Sequence, residues 1–292
     1  MSYPYISPFL HYQLSCLKQS LSGYKWKELL KPNTELKNKY HGKRCFILGT
    51  APSIMEFDLK KIKDECIIAI NEFYYHPDFD QIFNSHPANK FIVLPPTHAT
   101  IEEQETLHDL EDMEQKISPE VTLMFGLDDY PVNYHYQIKK HDLFKGHELK
   151  YFSTGIQTQL GWYRFSKKHW DFTRNIWSSA VGSVYALLFA LYMNFDEIYL
   201  LGIDHSYLSC NDPASYRFYR QNSNPHRKTS DEIKRNEEVH QKSQNTIILE
   251  GTHLAFEQYT LIARNTGAKI FNLSPKSILD IFPRKEFGDI IK

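Results

Sequence analysis

Arg44-Cys45-Phe46-Ile47-Leu48-Gly49-Thr50-Ala51-Pro52-Ser53-Ile54, followed by Cys66-Ile67-Ile68-Ala69-Ile70-Asn71, is the stretch that decides the fold. Cys45 to Leu48 is an apolar run of strand length, and Gly49 follows it at once. Continuous apolar runs of this kind mark strands covered on both faces, as in a parallel sheet. A glycine just past such a strand lets the backbone approach a ligand closely. Ile54 to Ile62 then reads as a short amphipathic helix with Ser53 as its cap. The N–H groups at a helix start point outward and favour a phosphate. Asn71 ends the second strand and is expected at the same crevice, beyond the carboxyl ends of the strands. The same residues also serve as an ordinary strand-to-helix turn with no ligand.

Working outward, further strands are expected at Gln81-Ile82-Phe83-Asn84, Phe91 to Leu94 and Val121 to Phe125. Asp128 to Arg174 is aromatic, rich in histidine and weakly periodic, so no element is assigned there. A buried helix is expected within Ala180 to Met193, with Ser178 and Ser179 as its cap and Val181, Val184, Tyr185, Leu188, Leu191 and Tyr192 on one face. Glu197 to Asp204 reads as a parallel-type strand entering a polar turn. Leu254 to Asn265 reads as the last long helix with Gly267 beyond it, and Lys269 to Leu273 as the closing strand. Strands alternating with helices predict an α/β fold, a doubly wound Rossmann-like parallel sheet with helices on both faces. The expected organisation is an N-terminal helical appendage over 1–42 and an α/β domain over 43–292. A polar lid insertion is expected at about 209–245, since long polar insertions in compact domains are usually binding loops.

In the appendage, Phe9, Leu10, Leu14, Leu17, Leu21 and Tyr24 recur at helical spacing beside several lysines. That pattern fits a helix packed on the domain or on a second subunit, or one resting on an anionic membrane surface. The first 44 residues carry eight Lys and Arg against Glu28 and Glu35, whereas 101–120 carries eight acids against Lys116. The acidic block reads as a solvated helix face or loop. A net charge of −1 without a basic stripe gives no support to bulk nucleic-acid binding, and no nucleic-acid partner is expected. Cys16, Cys45, Cys66 and Cys210 show no metal-binding spacing and read as reduced packing cysteines of a cytoplasmic protein. No signal peptide is visible, and no apolar run reaches the length of a membrane span.

The polar groups expected beyond the sheet are Gly49, Thr50, Ser53, Asn71, Asn84, Asp204, His205, Ser206 and Tyr207, with Ser178 and Ser179 as phosphate or ribose contacts. This is a largely uncharged cup with one carboxylate, suited to a nucleotide and lacking the clustered carboxylates of a tightly held Mg²⁺. Asp128-Asp129 is read as surface. Walker, dinucleotide-binding, nucleophile-elbow and zinc signatures are all missing. Among the histidines, His205 ends a strand, His240 lies in the insertion and His253 is expected at the start of the last helix. A helix start disfavours imidazolium, so His253 leads as proton acceptor, with a capping role as its alternative. Tyr216, Arg217, Tyr219 and Arg220 either stabilise charge on a departing phosphate or anchor the insertion.

Gly49-Thr50-Ala51-Pro52-Ser53-Ile54 with Ile70-Asn71-Glu72-Phe73-Tyr74 resembles the opening of the bacterial sialyltransferases of glycosyltransferase family 42. Ser179-Ala180-Val181 and Asp196 to Asp204 are similar to that family's Ser-Gly-Val helix and its Glu-Ile-Tyr-Leu-Ser-Gly-Ile-Asp strand, and Leu254 to Pro275 resembles its last helix and strand. The matches cover a little over a quarter of the chain. Thr50 stands where the family has Asn, and Ala51 and Ala180 stand where it has glycines. The resemblance implies inverting, metal-independent transfer of a sialic acid or related acidic sugar from a CMP-activated donor to a cell-surface glycan, such as lipooligosaccharide or capsule, with no cofactor. Gly49, Thr50, Asn71, Ser179 and the turn from Gly202 to Asp204 would contact CMP, and Tyr216 the leaving phosphate. His253 would be the general base, with His240 in reserve. The implied partners are the CMP-sugar and the glycan; peripheral contact with the inner membrane and homo-oligomerisation stay open. Similar motifs occur in pterin diphosphokinase-like proteins and in other polysaccharide-assembly proteins, so another nucleotide-dependent transferase, or a non-catalytic nucleotide-binding protein, is the alternative.

Overall fold

The computed structural model describes residues 24–97, 101–155, 166–209, 213–219 and 229–291. Its strands are β1 (Arg44–Leu48), β2 (Cys66–Ile70), β3 (Lys90–Leu94), β4 (Thr122–Leu127), β5 (Leu149–Ser153), β6 (Glu197–Leu201) and β7 (Lys269–Asn272). The helices are α1 (Lys27–Leu30), α2 (Glu103–Lys116), α3 (Tyr134–His141), α4 (Gly182–Tyr192), α5 (Thr229–His240), α6 (Gln244–Asn265) and α7 (Phe287–Ile290). The strands form one sheet in the order β5-β4-β3-β2-β1-β6-β7. Every neighbouring pair is parallel, with Cys45 opposite Cys66 and Leu48 opposite Leu201.

Successive strand residues point to opposite faces, and here both faces are covered. Cys45, Ile47, Ile68, Val93 and Leu200 pack on one side with α4 and the Ala255, Tyr259 and Ile262 stripe of α6. Phe46, Leu48, Ile67, Ile92 and Leu201 pack on the other with Leu59, Phe73, Phe83, Leu110 and Met113. Double coverage explains why these strands are unbroken apolar runs, and why α4 is apolar all round with ten of its eleven residues buried. Cys45 and Cys66 are free and buried, as packing cysteines are; Cys16 and Cys210 lie outside the described residues.

The chain runs from β1 out to β5, then crosses to β6 on the other flank of β1. That reversal puts a topological switch point between the carboxyl ends of β1 and β6, where doubly wound sheets hold ligands.

Several elements differ from the sequence reading. Gln81 to Asn84 is no strand but part of a wide helical turn, Asp80–Asn84. Its neighbouring apolar residues Ile82 and Phe83 are both buried, which a turn allows and a one-sided strand does not. Asn84 Nδ2 donates to Asp80 Oδ1 at 2.6 Å and to the Lys116 carbonyl at 2.8 Å, so Asn84 joins the end of α2 rather than the cup. The helix expected over Ile54 to Ile62 is two 3₁₀ turns, Pro52–Glu56 and Leu59–Ile62, broken at Phe57 and Asp58. The unassigned stretch holds α3 and the edge strand β5. The acidic block is α2, opened by a Glu102–Glu105 capping box. Of the N-terminal segment, residues 24–42 are described. Asn33 Nδ2 donates to the carbonyls of Tyr151 and Phe172 at 2.7 and 2.8 Å, and the Tyr192 hydroxyl donates to the Asn33 carbonyl at 2.9 Å. The expected helix before Tyr24 lies outside the described residues.

Candidate active site

At the switch point the turns after β1 and β6 touch through two glycines. A Cβ on Gly49 would stand 2.1 Å from the Gly202 carbonyl oxygen. Gly202 has φ +66°, and a Cβ there would meet Gly49 O and Ile54 Cβ at 2.9 Å each. Only hydrogen fits at Gly49, and Gly202 combines close contact with left-handed backbone.

Most of the backbone amides expected to grip a phosphate are already engaged. Gly49 N donates to Leu201 O at 2.7 Å, Ala51 N to Gly202 O at 3.0 Å and Ile54 N to Ala51 O at 3.1 Å. Pro52 has no N–H, and Ser53 N donates to Asp204 Oδ2 at 3.4 Å. Ser53 is not a cap: its hydroxyl donates to Asp204 Oδ1 at 2.6 Å, and the cap position falls on Ala51. This turn therefore knits β1 to β6, and a ligand above it must be read chiefly by side chains.

Asp204 is buried, and that burial raises its carboxyl above the ordinary aspartate range, with the Ser53 bonds opposing. The loop after β7 holds the backbone beside it: Gly202 N donates to Ser274 Oγ at 2.8 Å, Ser277 Oγ to Ile203 O at 2.6 Å and Ile278 N to Asp204 O at 2.9 Å. The Gly202–Asp204 turn is thus fixed from two sides.

Asn71 follows β2 with φ +53°, a conformation asparagine tolerates. Its Oδ1 would lie 3.2 Å from a Cβ on Gly182, the first residue of α4, so the amide sits over the start of that helix. The helix begins later than the sequence suggests. Its cap position is Val181 with no side-chain cap, not Ser178 or Ser179. Ser179 instead accepts from Val181 N at 3.3 Å through Oγ, and its own N–H and C=O both bond the Tyr185 hydroxyl at 2.8 Å. Asn71 and the uncapped start of α4 together form a polar, weakly electropositive corner.

Residues 207–209 and 213–219 lie over this corner. Phe218 N donates to the Thr50 carbonyl at 2.9 Å, and the Phe218 ring packs on Phe73 and His76. The rings of Tyr207 and Tyr216 meet edge to face at 5.3 Å. Glu72 accepts from the Tyr219 hydroxyl at 2.5 Å and lies 4.0 Å from Arg217 Nη1. Tyr219 and Glu72 keep the guanidinium firmly charged. Farther along, Arg235 on α5 pairs with Glu102 at 2.9 Å and with buried Glu105 at 2.7 Å, fastening α5 to the start of α2. Arg220, Arg227 and Lys228 lie outside the described residues.

The three histidines separate sharply. The last helix starts at Gln244, capped by Ser243, rather than at Leu254, so His253 is not at a helix start. It stands opposite the buried stripe of α6, its side chain 75% accessible, with Glu257 at 3.7 Å. His240 ends α5 and is exposed. His205 alone is buried at the switch point, where Nε2 meets the Tyr259 hydroxyl at 3.0 Å and Tyr259 meets Ser183 Oγ at 2.6 Å. Burial pushes its imidazole down to about 4.

Among the described residues no group of three or more His, Cys, Asp or Glu is placed to hold a metal ion, and no helix is long and apolar enough to cross a membrane. A cleft of about 1090 Å³ lies at the opposite, amino-terminal end of the sheet, between Arg44, Lys168, Arg174 and Lys269. Pairs such as Lys37–Asp171 at 3.2 Å and Lys269–Glu197 at 3.4 Å neutralise part of its charge.

No family model and no curated protein matches this chain. Among solved structures it is similar to the sialyltransferase CstII from Campylobacter jejuni in complex with cytidine-5'-monophosphate, at 19% identity and TM-score 0.44 over 84% of this chain and 85% of that one. It is also similar to a sialyltransferase CST-II in complex with a trisaccharide acceptor and CMP, at 18% identity and TM-score 0.43 over 83% and 85%. An alpha-2,3-sialyltransferase from Campylobacter jejuni matches at 15% identity and TM-score 0.41 over 83% and 80%. At such identity and superposition the likeness assigns neither substrate nor residue role to this chain.

Proposed function

We propose that this protein is a glycosyltransferase that moves a sialic acid or related acidic sugar from a CMP-activated donor to a hydroxyl of a cell-surface glycan, with inversion and without a metal ion. The observation that supports this is the meeting of residues distant in sequence at one crevice: Gly49 and Thr50 after β1, Asn71 after β2, and Gly202 and Asp204 after β6, with the Phe218 N–H on the Thr50 carbonyl and the Tyr216 ring against Tyr207. In this reading Asn71, Ser179 and the start of α4 receive the nucleotide. The phenols of Tyr207 and Tyr216, backed by Arg217, face the bridging phosphate and stabilise the charge that grows as its bond to the sugar breaks. Donors fixed before the reaction and shielded from water are worth far more than the same groups in solution. In this reading the insertion at about 209–245 serves as the lid that shields them; its residues 210–212 and 220–228 lie outside the described ones. His253 and His240 act as base only if α5 and the first half of α6 swing inward.

The test is incubation of the purified protein with CMP-sialic acid and a galactose-terminated acceptor, following CMP release and the sialylated product. Tyr216→Phe should lower kcat by about 10²-fold with the fold intact. A protein that leaves CMP-sialic acid untouched but consumes ATP with Mg²⁺ would replace this reading with the diphosphokinase one.

A further inference from the structure

We infer that the cleft at the amino-terminal end of the sheet is a second ligand site, separate from the crevice, which takes a molecule bearing two phosphoryl groups. The inference stands without the glycosyl-transfer reading, because no residue of the crevice takes part in it.

The cleft of about 1090 Å³ opens where β1, β6 and β7 begin, so the length of the strands separates it from the switch point. Seven Lys and Arg line it against Asp171, Asp196 and Glu197. Each of these acids is already engaged. Asp171 accepts from Thr173 Oγ1 at 2.6 Å and from Lys37 Nζ at 3.2 Å, Asp196 from Gly42 N at 3.0 Å, and Glu197 from the Tyr199 hydroxyl at 2.7 Å. Arg44 is held by Glu65 at 3.2 Å and by the Ile290 carbonyl at 3.1 Å. Lys43, Lys167, Lys168 and Arg174 are left with no acid partner among the described residues.

Two ordinary reasons for cations at this end fail. Helices point their carboxyl ends here, and lysines often offset the negative pole of such an end. The carbonyls at the end of α4 are, however, met by backbone N–H groups: Ala190 O by Phe195, Leu191 O by Asn194, Tyr192 O by Asn38 and Met193 O by Tyr40. Nor is the basic segment a loose surface loop. Trp170 and Phe172 are buried in the core, and the Phe172 carbonyl accepts from Asn33 Nδ2 at 2.8 Å. Ser166 and His169 form a capping box around the tight turn Lys167–Trp170. Lys167, Lys168 and Arg174 therefore ride on a fixed mount, which lowers the ordering cost of binding.

Cations gathered along a concave, low-dielectric wall repel one another and focus their field on the space between them, so the cleft draws anions. A phosphoryl group carries about −1.5 to −2 charges at pH 7, so two of them balance the four unpaired cations. Arg174 adds a planar fork that suits phosphate oxygens. The volume is that of a small-molecule pocket: too large for one phosphate, and enough for a nucleotide, a phosphosugar or a lipid headgroup.

Calorimetric titration of the full chain with inorganic pyrophosphate tests the site. Phosphatidylcholine vesicles carrying cardiolipin offer paired phosphates from a lipid instead. Pyrophosphate should bind, and Lys168→Glu with Arg174→Glu should weaken it by about 10²-fold, since each change removes a charge-assisted contact. Both side chains are exposed, so this double variant should melt with the wild type. Lys168→Ala with Arg174→Ala should lose about tenfold and serves if charge reversal disturbs the fold. Lys139→Glu with Lys145→Glu makes the same change in net charge outside the cleft and should keep Kd within about twofold. Co-sedimentation with the vesicles that the cleft variant loses names a lipid headgroup as the ligand, whereas pyrophosphate binding without co-sedimentation names a soluble one; either result upholds the site. An affinity that the cleft variants keep, one that both glutamate variants lose alike, or no pyrophosphate binding at all overturns the inference.

Discussion

Gly49→Ala puts a methyl group where the turns after β1 and β6 cross. The added Cβ would lie 2.1 Å from the Gly202 carbonyl oxygen and 2.7 Å from its carbon. Both are backbone atoms, so no rotamer change relieves the clash and the strands must part at the crevice. Overpacking usually costs about 1–3 kcal/mol, and a backbone clash belongs at or above the top of that range. We expect about 3 kcal/mol, a fall of roughly 6–12 °C in Tm, with an unchanged denaturant slope in urea unfolding. Two controls separate the causes. Gly42 has φ +76° but nothing within 4 Å of a Cβ, so Gly42→Ala should cost only the left-handed backbone strain of about 1–2 kcal/mol. Gly267 has neither feature, and Gly267→Ala should be neutral or slightly stabilising. If Gly49→Ala unfolds within about 0.5 kcal/mol of wild type, the two turns are not in contact and the crevice is drawn wrongly.

Asp204→Asn tests the buried carboxyl. Because folding raises its pKa, its contribution is full below the ordinary aspartate pKa and is lost as pH rises through the folded value. The wild type should therefore lose stability across that acid window and the variant should lose less; parallel urea profiles from pH 3.5 to 6 would contradict this. Arg235→Ala should leave buried Glu105 without its cation and release α5 from α2. Hydrogen exchange of the α5 amides should then speed up at least tenfold while exchange in β1 and β6 stays unchanged, and unchanged α5 protection would refute the fastening.

The strands most legible in the sequence are those covered on both faces. Cys66 to Ile70 and Phe91 to Leu94 are apolar at every position because both sides of the sheet are core. β5 was hidden because Lys150 interrupts Leu149-Lys150-Tyr151-Phe152-Ser153; its ammonium reaches Glu35, a partner far away in sequence. Ile82-Phe83 shows the opposite failure, where two adjacent apolar residues fit a strand or a helical turn and only packing on Phe73 and Phe79 decides. The start of α6 was misplaced by ten residues because Gln244 to Gly251 is mixed in polarity, yet Ser243 ahead of Thr246 was a readable cap signal.

In the site, Gly49, Asn71 and the Gly202–Asp204 turn were visible because strand ends declare themselves. Their partners were not. Ser53 with Asp204, Asn71 with Gly182, and His205 with Tyr259 and Ser183 are matched by tertiary packing, which local spacing does not encode. His253 drew attention through a helix start that the structure moves elsewhere.

In the proposed function, CMP sits in the crevice between the Gly49–Thr50 turn, Asn71 and Tyr216. A crystal structure of the protein with saturating CMP decides whether it does. The expected density puts the ribose and phosphate against Asn71 and the start of α4, with the Tyr216 hydroxyl on the phosphate. Nucleotide bound only in the cleft beside Arg44 and Lys269, or an unfilled crevice, would contradict it.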